Sequence, residues 1–369
     1  MTLPDDHPDK WQYPEHTAVK HLILDKYLKT WISIRGGNAK TLAYIDGFAG
    51  RGIYQDGSPG SPIIAMRAGQ DKINNIRRGP GGMEIFHCIF VEKNEDNYLC
   101  LKSQVESLAP SCGSVTTLLR CGTFEETARE FIKLSDGTST IPTLFFIDPF
   151  GWDGVPFDAI KGILDNPQTE ILLTFMVRDM NRFLESTPHR DSLNKLFGGP
   201  CYENCIQDED REKSLLNLYL NLIRTQTKAE HVLPFVMYGS EVRRPIYYLI
   251  FATHHPLGLR KMKDVMHTVG SGDFGFLGPD HEQSLAQTKL PVLNDMRTTW
   301  ILKHYSGKRI RFIDFLNEVY GLVDDPLIGS LVEPDYRGLL HDMEAEGKVT
   351  IVRSKPNSRA INDESILCF

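Results

Sequence analysis

Two apolar stretches of the chain each end in a carboxylate, a residue type that orients ligands by hydrogen bonds and can hold a metal ion. Leu42–Ile45 runs into Asp46, and Thr143–Ile147 runs into Asp148. Both stretches lack polar alternation, which is typical of parallel strands buried on both faces. If the two strands are neighbours in a sheet, their carboxyl ends meet at the topological switch point, where α/β folds bind ligands.

A glycine-spaced turn follows Asp46. Its glycines permit positive φ and let a ligand approach the backbone closely, which a β-carbon would block. The pattern D-x-F-A-G-x-G is that of the first motif of S-adenosylmethionine-dependent methyltransferases, in which this turn passes under the methionine part of the cofactor. The pattern predicts that S-adenosylmethionine is held by Asp46, Gly47, Phe48, Ala49, Gly50 and Gly52.

Further candidate cofactor contacts follow the next two predicted strands. Glu92 comes directly after the second strand, Glu84–Val91, and its carboxylate could accept hydrogen bonds from both ribose hydroxyls. Thr123 and Phe124 lie in the turn after the third strand, beside which the adenine passes in a methyltransferase-like sheet. We therefore expect them at the edge and face of that ring. An equally good interpretation is that Phe124 packs against the helix that follows.

The residues after Asp148 suggest how an acceptor is bound. Asp148-Pro149-Phe150 resembles the acidic-Pro-Pro-aromatic motif with which amino-methyltransferases bind the exocyclic amine of a base and stack on its ring, but one proline is missing. We expect Asp148 to orient the acceptor and Phe150 to contact it. The identity of the acceptor atom stays open.

An amphipathic helix predicted over Glu15–Ile34 precedes the first strand. His16 and Lys20 lie four residues apart on one face of this helix, so both could reach the same site. His16 could then remove a proton from the acceptor. The alternative is a structural histidine, which is the commoner role for a lone histidine on a helix.

The composition is that of an ordinary globular protein. The 369 residues are 41% hydrophobic and 24% charged, and no segment approaches the roughly 18 uninterrupted apolar residues of a membrane helix. The formal net charge of −7 argues against a protein that coats nucleic acid non-specifically, although it is compatible with a local basic groove. The acidic, polar N-terminus is unlike a signal or transit peptide, so we expect a cytoplasmic protein without a membrane partner.

The order of the predicted elements indicates an α/β fold. Five strands alternate with helices, and two late strands, Leu233–Tyr238 and Tyr247–Thr253, are joined by a short polar turn typical of an antiparallel hairpin. This pattern predicts a Rossmann-like, seven-stranded sheet of the S-adenosylmethionine-dependent methyltransferase type. We assign this domain to residues 1–290, including the helix over 15–34.

A second domain is predicted over residues 291–369, where the composition changes. Three short helices followed by a β-hairpin are typical of a winged helix. The wing is basic and contains Lys348, Arg353, Lys355 and Arg359. Contact with nucleic-acid phosphates and a solvated surface loop explain these charges equally well.

Several short runs together resemble the three-Cys-motif partner family. They are His16-Thr17-x-x-Lys20, Tyr44–Gly50, Gly60-Ser61-Pro62, Phe146–Gly151 and His255-Pro256-Leu257-Gly258-Leu259-x-x-Met262-Lys263. The resemblance covers most of residues 10–280. It implies a methyltransferase-like fold and a partnership with a radical-SAM protein that carries three cysteines, and it implies no particular reaction.

Three functions are compatible with the sequence. The leading hypothesis is an S-adenosylmethionine-dependent methyltransferase that acts on nucleic acid. The second is a metal-dependent nuclease, in which Asp46, Glu92 and Asp148 hold Mg²⁺ or Mn²⁺ for phosphodiester cleavage, but this leaves the glycine turn unexplained. The third is a non-catalytic nucleic-acid-binding partner that retains a methyltransferase-like fold.

Overall fold

A computed structural model describes residues 12–75, 82–135, 141–238, 245–270, 275–276, 286–322, 325, 327–329, 331–355 and 358–369. The chain divides into two compact units, Met1–Lys261 and Met262–Phe369. The first unit ends earlier than the domain boundary predicted after residue 290, because that prediction followed a change in composition whereas the units follow contacts within the chain.

The first unit alternates strands and helices. Its strands are β1 (Thr41–Asp46), β2 (Ile85–Glu92), β3 (Val115–Cys121), β4 (Thr143–Ile147), β5 (Thr169–Phe175), β6 (His231–Tyr238) and β7 (Pro245–Thr253). Its helices are α1 (Glu15–Arg35), α2 (Ser61–Asn75), α3 (Glu95–Leu108), α4 (Phe124–Ser135), α5 (Phe157–Leu164), α6 (Val177–Phe183), α7 (Arg190–Phe197) and α8 (Arg211–Gln226). Helix α9 (Pro256–Val269) begins in this unit, and short 3-10 helices cover Ala109–Ser111, Thr187–His189 and Pro200–Gln207.

The seven strands of this unit lie in one sheet in the order β3-β2-β1-β4-β5-β7-β6. Strands β1 to β5 pair in parallel, and β7 is antiparallel to both β5 and β6. The predicted mixed α/β fold with a seven-stranded sheet and a late antiparallel hairpin is therefore confirmed. Strands β1 and β4 are neighbours, so the two carboxylates at their ends lie at the same edge of the sheet, as predicted.

The centre of the sheet is buried and holds the two strand ends in place. Every residue of β4 and β5 is buried, so helices must cover both faces there, which explains why these strands show no polar alternation. In the pairing of β1 with β4, Asp46 is opposite Phe146. Asp46 and Asp148 therefore leave the same edge of the sheet.

The described part of the second unit contains the rest of α9, three further helices and a small sheet. Its elements are β8 (Gly275–Phe276), α10 (Ala286–Tyr305), β9 (Arg309–Arg311), α11 (Phe312–Gly321), α12 (Glu333–Ala345), β10 (Thr350–Val352) and β11 (Ile366–Cys368). Strand β11 lies between β10 and β9 and is antiparallel to both. The sequence predicted the three helices and the pairing of the last two strands, whereas it did not predict the three-residue strand β9. None of the described helices is long and apolar enough to span a membrane.

Candidate active site

The candidate active site is a cavity of about 570 Å³ at the carboxyl edge of the sheet in the first unit. Its walls come from the first half of α1, the turn after β1, and the loops that follow β4 and β5. The predicted site residues that line it are His16, Lys20, Phe48, Ala49, Gly50, Gly52, Asp148 and Phe150. The fold thus brings residues from three distant parts of the sequence to one cavity.

A buried ion pair joins α1 to the end of β4. Lys20 Nζ donates to Asp148 Oδ2 at 2.5 Å, and the two side chains are only 8% and 18% exposed. The Lys20 ammonium also lies 5.4 Å from the centre of the Tyr247 ring. The Asp148 carboxylate, predicted to orient the methyl acceptor, is therefore already paired with the Lys20 ammonium. A methyl acceptor in the cavity would meet both a hydrogen-bond donor, Lys20, and a hydrogen-bond acceptor, Asp148.

His16 lies one helical turn before Lys20 and lines the same cavity. Its ring meets the Tyr247 ring edge-on at 5.8 Å between centres, and the Tyr247 hydroxyl donates to the His16 carbonyl oxygen at 3.0 Å. Burial, reinforced by the nearby Lys20 ammonium, lowers the pKa of His16 to about 4. The imidazole is therefore neutral at neutral pH and has a lone pair that can accept a proton.

Asp46 lies beneath the glycine turn and does not line the cavity. It is fully buried, and its carboxylate accepts hydrogen bonds from the Phe48 backbone N–H at 3.2 Å and from the Tyr44 hydroxyl at 3.3 Å. Burial raises the pKa of Asp46 to about 7, opposed by hydrogen bonds that include one from Ser61. Asp46 therefore stabilises the turn through its hydrogen bond to the Phe48 N–H and does not face the cavity.

The turn needs glycine for two different reasons. Gly50 and Gly52 have φ of 61° and 76°, a region that side-chain-bearing residues adopt only with strain. At Gly47, a β-carbon would lie 2.6 Å from Cδ2 of Phe124, so the ring itself excludes a side chain there. Gly50 and Gly52 line the cavity, whereas Gly47 packs into the core.

Glu92 connects the turn to β2. One carboxylate oxygen accepts the Gly50 N–H at 2.9 Å and the other accepts the Asn94 N–H at 2.7 Å. Glu92 does not line the cavity. Its predicted ribose contact stays a prediction.

The two residues predicted to contact adenine are used for packing and capping. The Thr123 hydroxyl accepts the Glu126 N–H at 3.2 Å, while the Glu126 carboxylate accepts the Thr123 N–H at 2.9 Å, which is a capping box at the start of α4. Phe124 is 2% exposed and lies against Phe48, with 5.7 Å between ring centres. The interpretation of Phe124 as a core residue matches this burial, and neither residue lines the cavity.

The alternative metal site is not formed. Among the residues that the structure describes, no group of three histidines, cysteines or carboxylates could hold a metal ion, and Asp46, Glu92 and Asp148 are all described. The reason is that each carboxylate turns to its own partner within the protein: Asp46 to the Tyr44 hydroxyl, Glu92 to backbone N–H groups and Asp148 to Lys20. The three strand ends share an edge, but their oxygens do not converge.

Three aromatic residues that the sequence analysis did not assign to the site, Trp152, Phe183 and His189, line the cavity together with the predicted Phe150. Trp152 contacts Phe183 and His189, with ring centres 5.7 Å and 5.4 Å away, and its indole N–H donates to Ser192. Phe150, at 53% exposure, is the sole aromatic among the large apolar residues found exposed in the described part of the chain. The two aromatic residues at positions 150 and 152, shortly after Asp148, could have predicted this aromatic wall from the sequence.

No protein-family model and no curated protein matches the chain. Among solved structures, an rRNA methylase from Streptococcus thermophilus is 10% identical, with a TM-score of 0.31 over 66% of this chain and 98% of that one. A Staphylococcus aureus protein assigned as a caffeoyl-CoA O-methyltransferase is also 10% identical, with a TM-score of 0.31 over 66% of this chain and 87% of that one. Likenesses this low carry no functional argument, and the three-Cys-motif partner family stays a prediction.

Proposed function

We propose that this chain is an S-adenosylmethionine-dependent methyltransferase whose acceptor is a nucleic acid. The observation that carries the proposal is one cavity that contains both the positive-φ glycine turn after β1 and the Lys20–Asp148 pair after β4. The turn admits a ligand against the backbone, and the polar pair can orient an acceptor beside it.

The residues present fit the cofactor. Gly50, Gly52 and Ser61 line a cavity of about 570 Å³, within the range of about 300–1,000 Å³ that is usual for small-molecule sites. These residues would hold the methionine end, with Glu92 on the ribose. When bound, the cofactor supplies an electrophilic methyl group.

Lys20, Asp148 and His16 would act on the acceptor. The Asp148 carboxylate can accept a hydrogen bond from an acceptor hydroxyl or amine in addition to the one from Lys20. The Lys20 ammonium would stabilise negative charge that develops on a hydroxyl oxygen as it loses its proton. The neutral His16 imidazole in the same cavity could take that proton.

The nucleic-acid part of the proposal is supported by aromatic and basic groups. Phe150 is exposed beside Asp148, and stacking of a base on an aromatic side chain contributes about 1–3 kcal/mol. Arg51 and Arg182 line the same cavity and could contact phosphates. We extend the proposal to the second unit as a winged helix that binds nucleic acid, and to the radical-SAM partner that the family resemblance implies.

Calorimetric titration with S-adenosylmethionine tests the cofactor. Wild type is expected to bind, whereas Gly50→Leu should bind at least about tenfold more weakly, a loss of about 1.4 kcal/mol, because Gly50 lines the cavity. The matched control is Gly57→Leu. Gly57 also has positive φ, at 84°, but lies outside the cavity, and a β-carbon there meets nothing within 4 Å.

The outcomes separate the parts of the proposal. Equal loss of binding in both variants would assign the effect to backbone strain, and absence of binding to the wild type would overturn the methyltransferase. Methyl-labelled cofactor is then incubated with RNA or single-stranded DNA and either wild type or Asp148→Asn. Label that enters protein but no nucleic acid would contradict the proposed acceptor.

A further inference from the structure

A second cavity, of about 400 Å³, lies at the opposite edge of the sheet in the first unit. Its walls are the second half of α1, the chain just before β4, the start of β5 and the first turn of α9. It shares no lining residue with the candidate active site, although α1 and β5 contribute to both. On β5, Glu170 lines this cavity and Thr174 lines the other.

The run His255-Pro256-Leu257-Gly258, which the methyltransferase proposal does not use, builds one wall of this cavity. His255 Nδ1 accepts the Leu257 N–H at 3.3 Å, so the side chain caps the start of α9. A β-carbon at Gly258 would lie 2.9 Å from Thr253 Oγ1 and 3.2 Å from Glu170 Oε1. Glycine at this position therefore lets α9 begin directly over Glu170.

Glu170 is buried at this cavity, and its charge is satisfied by the protein. It is 7% exposed and accepts a hydrogen bond from the Tyr27 hydroxyl at 2.5 Å. Burial raises the pKa of Glu170, and four neighbouring groups oppose that shift: the Tyr27 hydroxyl, the Arg35 guanidinium, the Thr253 hydroxyl and the Trp31 indole N–H. Because these groups already interact with the Glu170 carboxylate, no cation on a ligand is needed to compensate it. The type of ligand that the cavity can bind therefore depends on its other lining groups.

Those other groups are cationic and aromatic. Arg35 and Lys261 line the cavity, and Arg35 donates to the side chain of Gln168. Trp31 is 3% exposed and lines the same space, and its indole N–H interacts with the Glu170 carboxylate. Leu257 adds apolar surface. Two cations beside aromatic and apolar surface favour a ligand that carries both a ring and an anionic group.

We propose that this cavity binds a heteroaromatic ring bearing an anionic group, the chemistry of a nucleoside monophosphate. The anionic group contacts Arg35 and Lys261, because guanidinium and ammonium groups are the usual partners of phosphate. The ring lies against Trp31 and Leu257. The site is independent of the proposed methyl transfer.

Isothermal titration of the full-length protein with AMP, GMP, CMP and UMP tests the site. At least one is expected to bind, and Arg35→Gln and Lys261→Gln should each weaken it about tenfold or more, since a charged hydrogen bond to the ligand is lost. Arg51→Gln, in the candidate active site, is the matched control and should leave this affinity unchanged. Thermal melting of each variant shows whether it is folded.

Three further probes separate the parts of the ligand. Adenosine lacks the anionic group and inorganic phosphate lacks the ring, so each should bind at least about tenfold more weakly than the best nucleotide. Indole-3-acetate carries a carboxylate on a ring, and tighter binding of it, lost in Arg35→Gln, would assign the same site to aromatic carboxylates. The proposal is overturned if no ring-bearing anion binds, or if binding is lost in Arg51→Gln and kept in folded Arg35→Gln and Lys261→Gln.

Discussion

Two lysine–carboxylate pairs of the same length lie in the two units of the chain. Lys20 Nζ is 2.5 Å from Asp148 Oδ2 in the first unit, and Lys348 Nζ is 2.5 Å from Glu346 Oε2 in the second. The side chains of the first pair are 8% and 18% exposed, and those of the second are 40% and 56% exposed. Because water screens the second pair more than the first, equal distances correspond to unequal interaction energies.

The same comparison bears on the wing predicted to be basic. Arg353 donates to both oxygens of Glu344 on α12, at 2.7 Å and 2.5 Å, and Lys348 pairs with Glu346. Two of the four cations identified in the sequence therefore have carboxylate partners within the second unit. Phosphate contact at the wing stays a prediction, and these partners would compete with it.

The largest expected effect tests the contrast between the pairs directly. Lys20→Met leaves the Asp148 carboxylate without its cation in a poorly hydrated site, so we expect the free energy of unfolding to fall by about 3 kcal/mol. Lys348→Met makes the same change at the exposed pair and should cost less than about 1 kcal/mol. Urea unfolding of both variants measures the difference.

A double variant separates the pair from its surroundings. In Lys20→Met/Asp148→Leu no buried charge is left unpaired, so most of the lost stability should return. Equal losses from Lys20→Met and Lys348→Met would show that burial does not separate the two pairs.

A pH effect of intermediate size should come from Asp46. Its pKa of about 7 in the folded protein exceeds its ordinary value of 3.8. Between pH 3.8 and about 7, the folded protein therefore keeps a proton on Asp46 that the unfolded chain has lost. Stability from this group is complete below pH 3.8 and is lost as the pH rises through about 7. Wild type should therefore lose stability relative to Asp46→Asn by up to about 1.4 kcal/mol per pH unit.

Unfolding measured at several pH values from 5 to 8 checks this effect. The difference between the two proteins isolates Asp46, because His16 and the other titrating groups are common to both. A difference that stays constant with pH would show that Asp46 is ionised throughout the range in the folded protein.

The smallest expected effect concerns the wing. Glu344→Gln releases Arg353, so binding of a labelled DNA duplex should strengthen by a factor of about three, with roughly one more counterion released in its salt dependence. Asp342→Asn changes the charge of α12 equally while leaving the Glu344–Arg353 pair in place, and serves as the control. Equal effects of the two substitutions would assign the change to net charge alone.

Much of the first unit could be predicted from local sequence. Apolar runs without polar alternation identified β1 and β4, and helical periodicity identified α1 almost to its last residue. Strand β9 could not be found in this way, because three residues are too few for a periodic signal. The apolar spacing within α1 also placed His16 and Lys20 on one face, and both line the cavity.

The sequence by itself determined which residues leave the carboxyl edge of the sheet, because strand and turn patterns are local properties of the chain. Only the tertiary structure decided which of them meet a ligand cavity. Glu92 bonds to the Gly50 backbone, Phe124 fills the space beside Gly47, and Asp148 pairs with Lys20. These interactions join residues that are far apart in sequence, and several residues could bind the same oxygen or fill the same volume. Local sequence patterns therefore do not predict which of them make the contact.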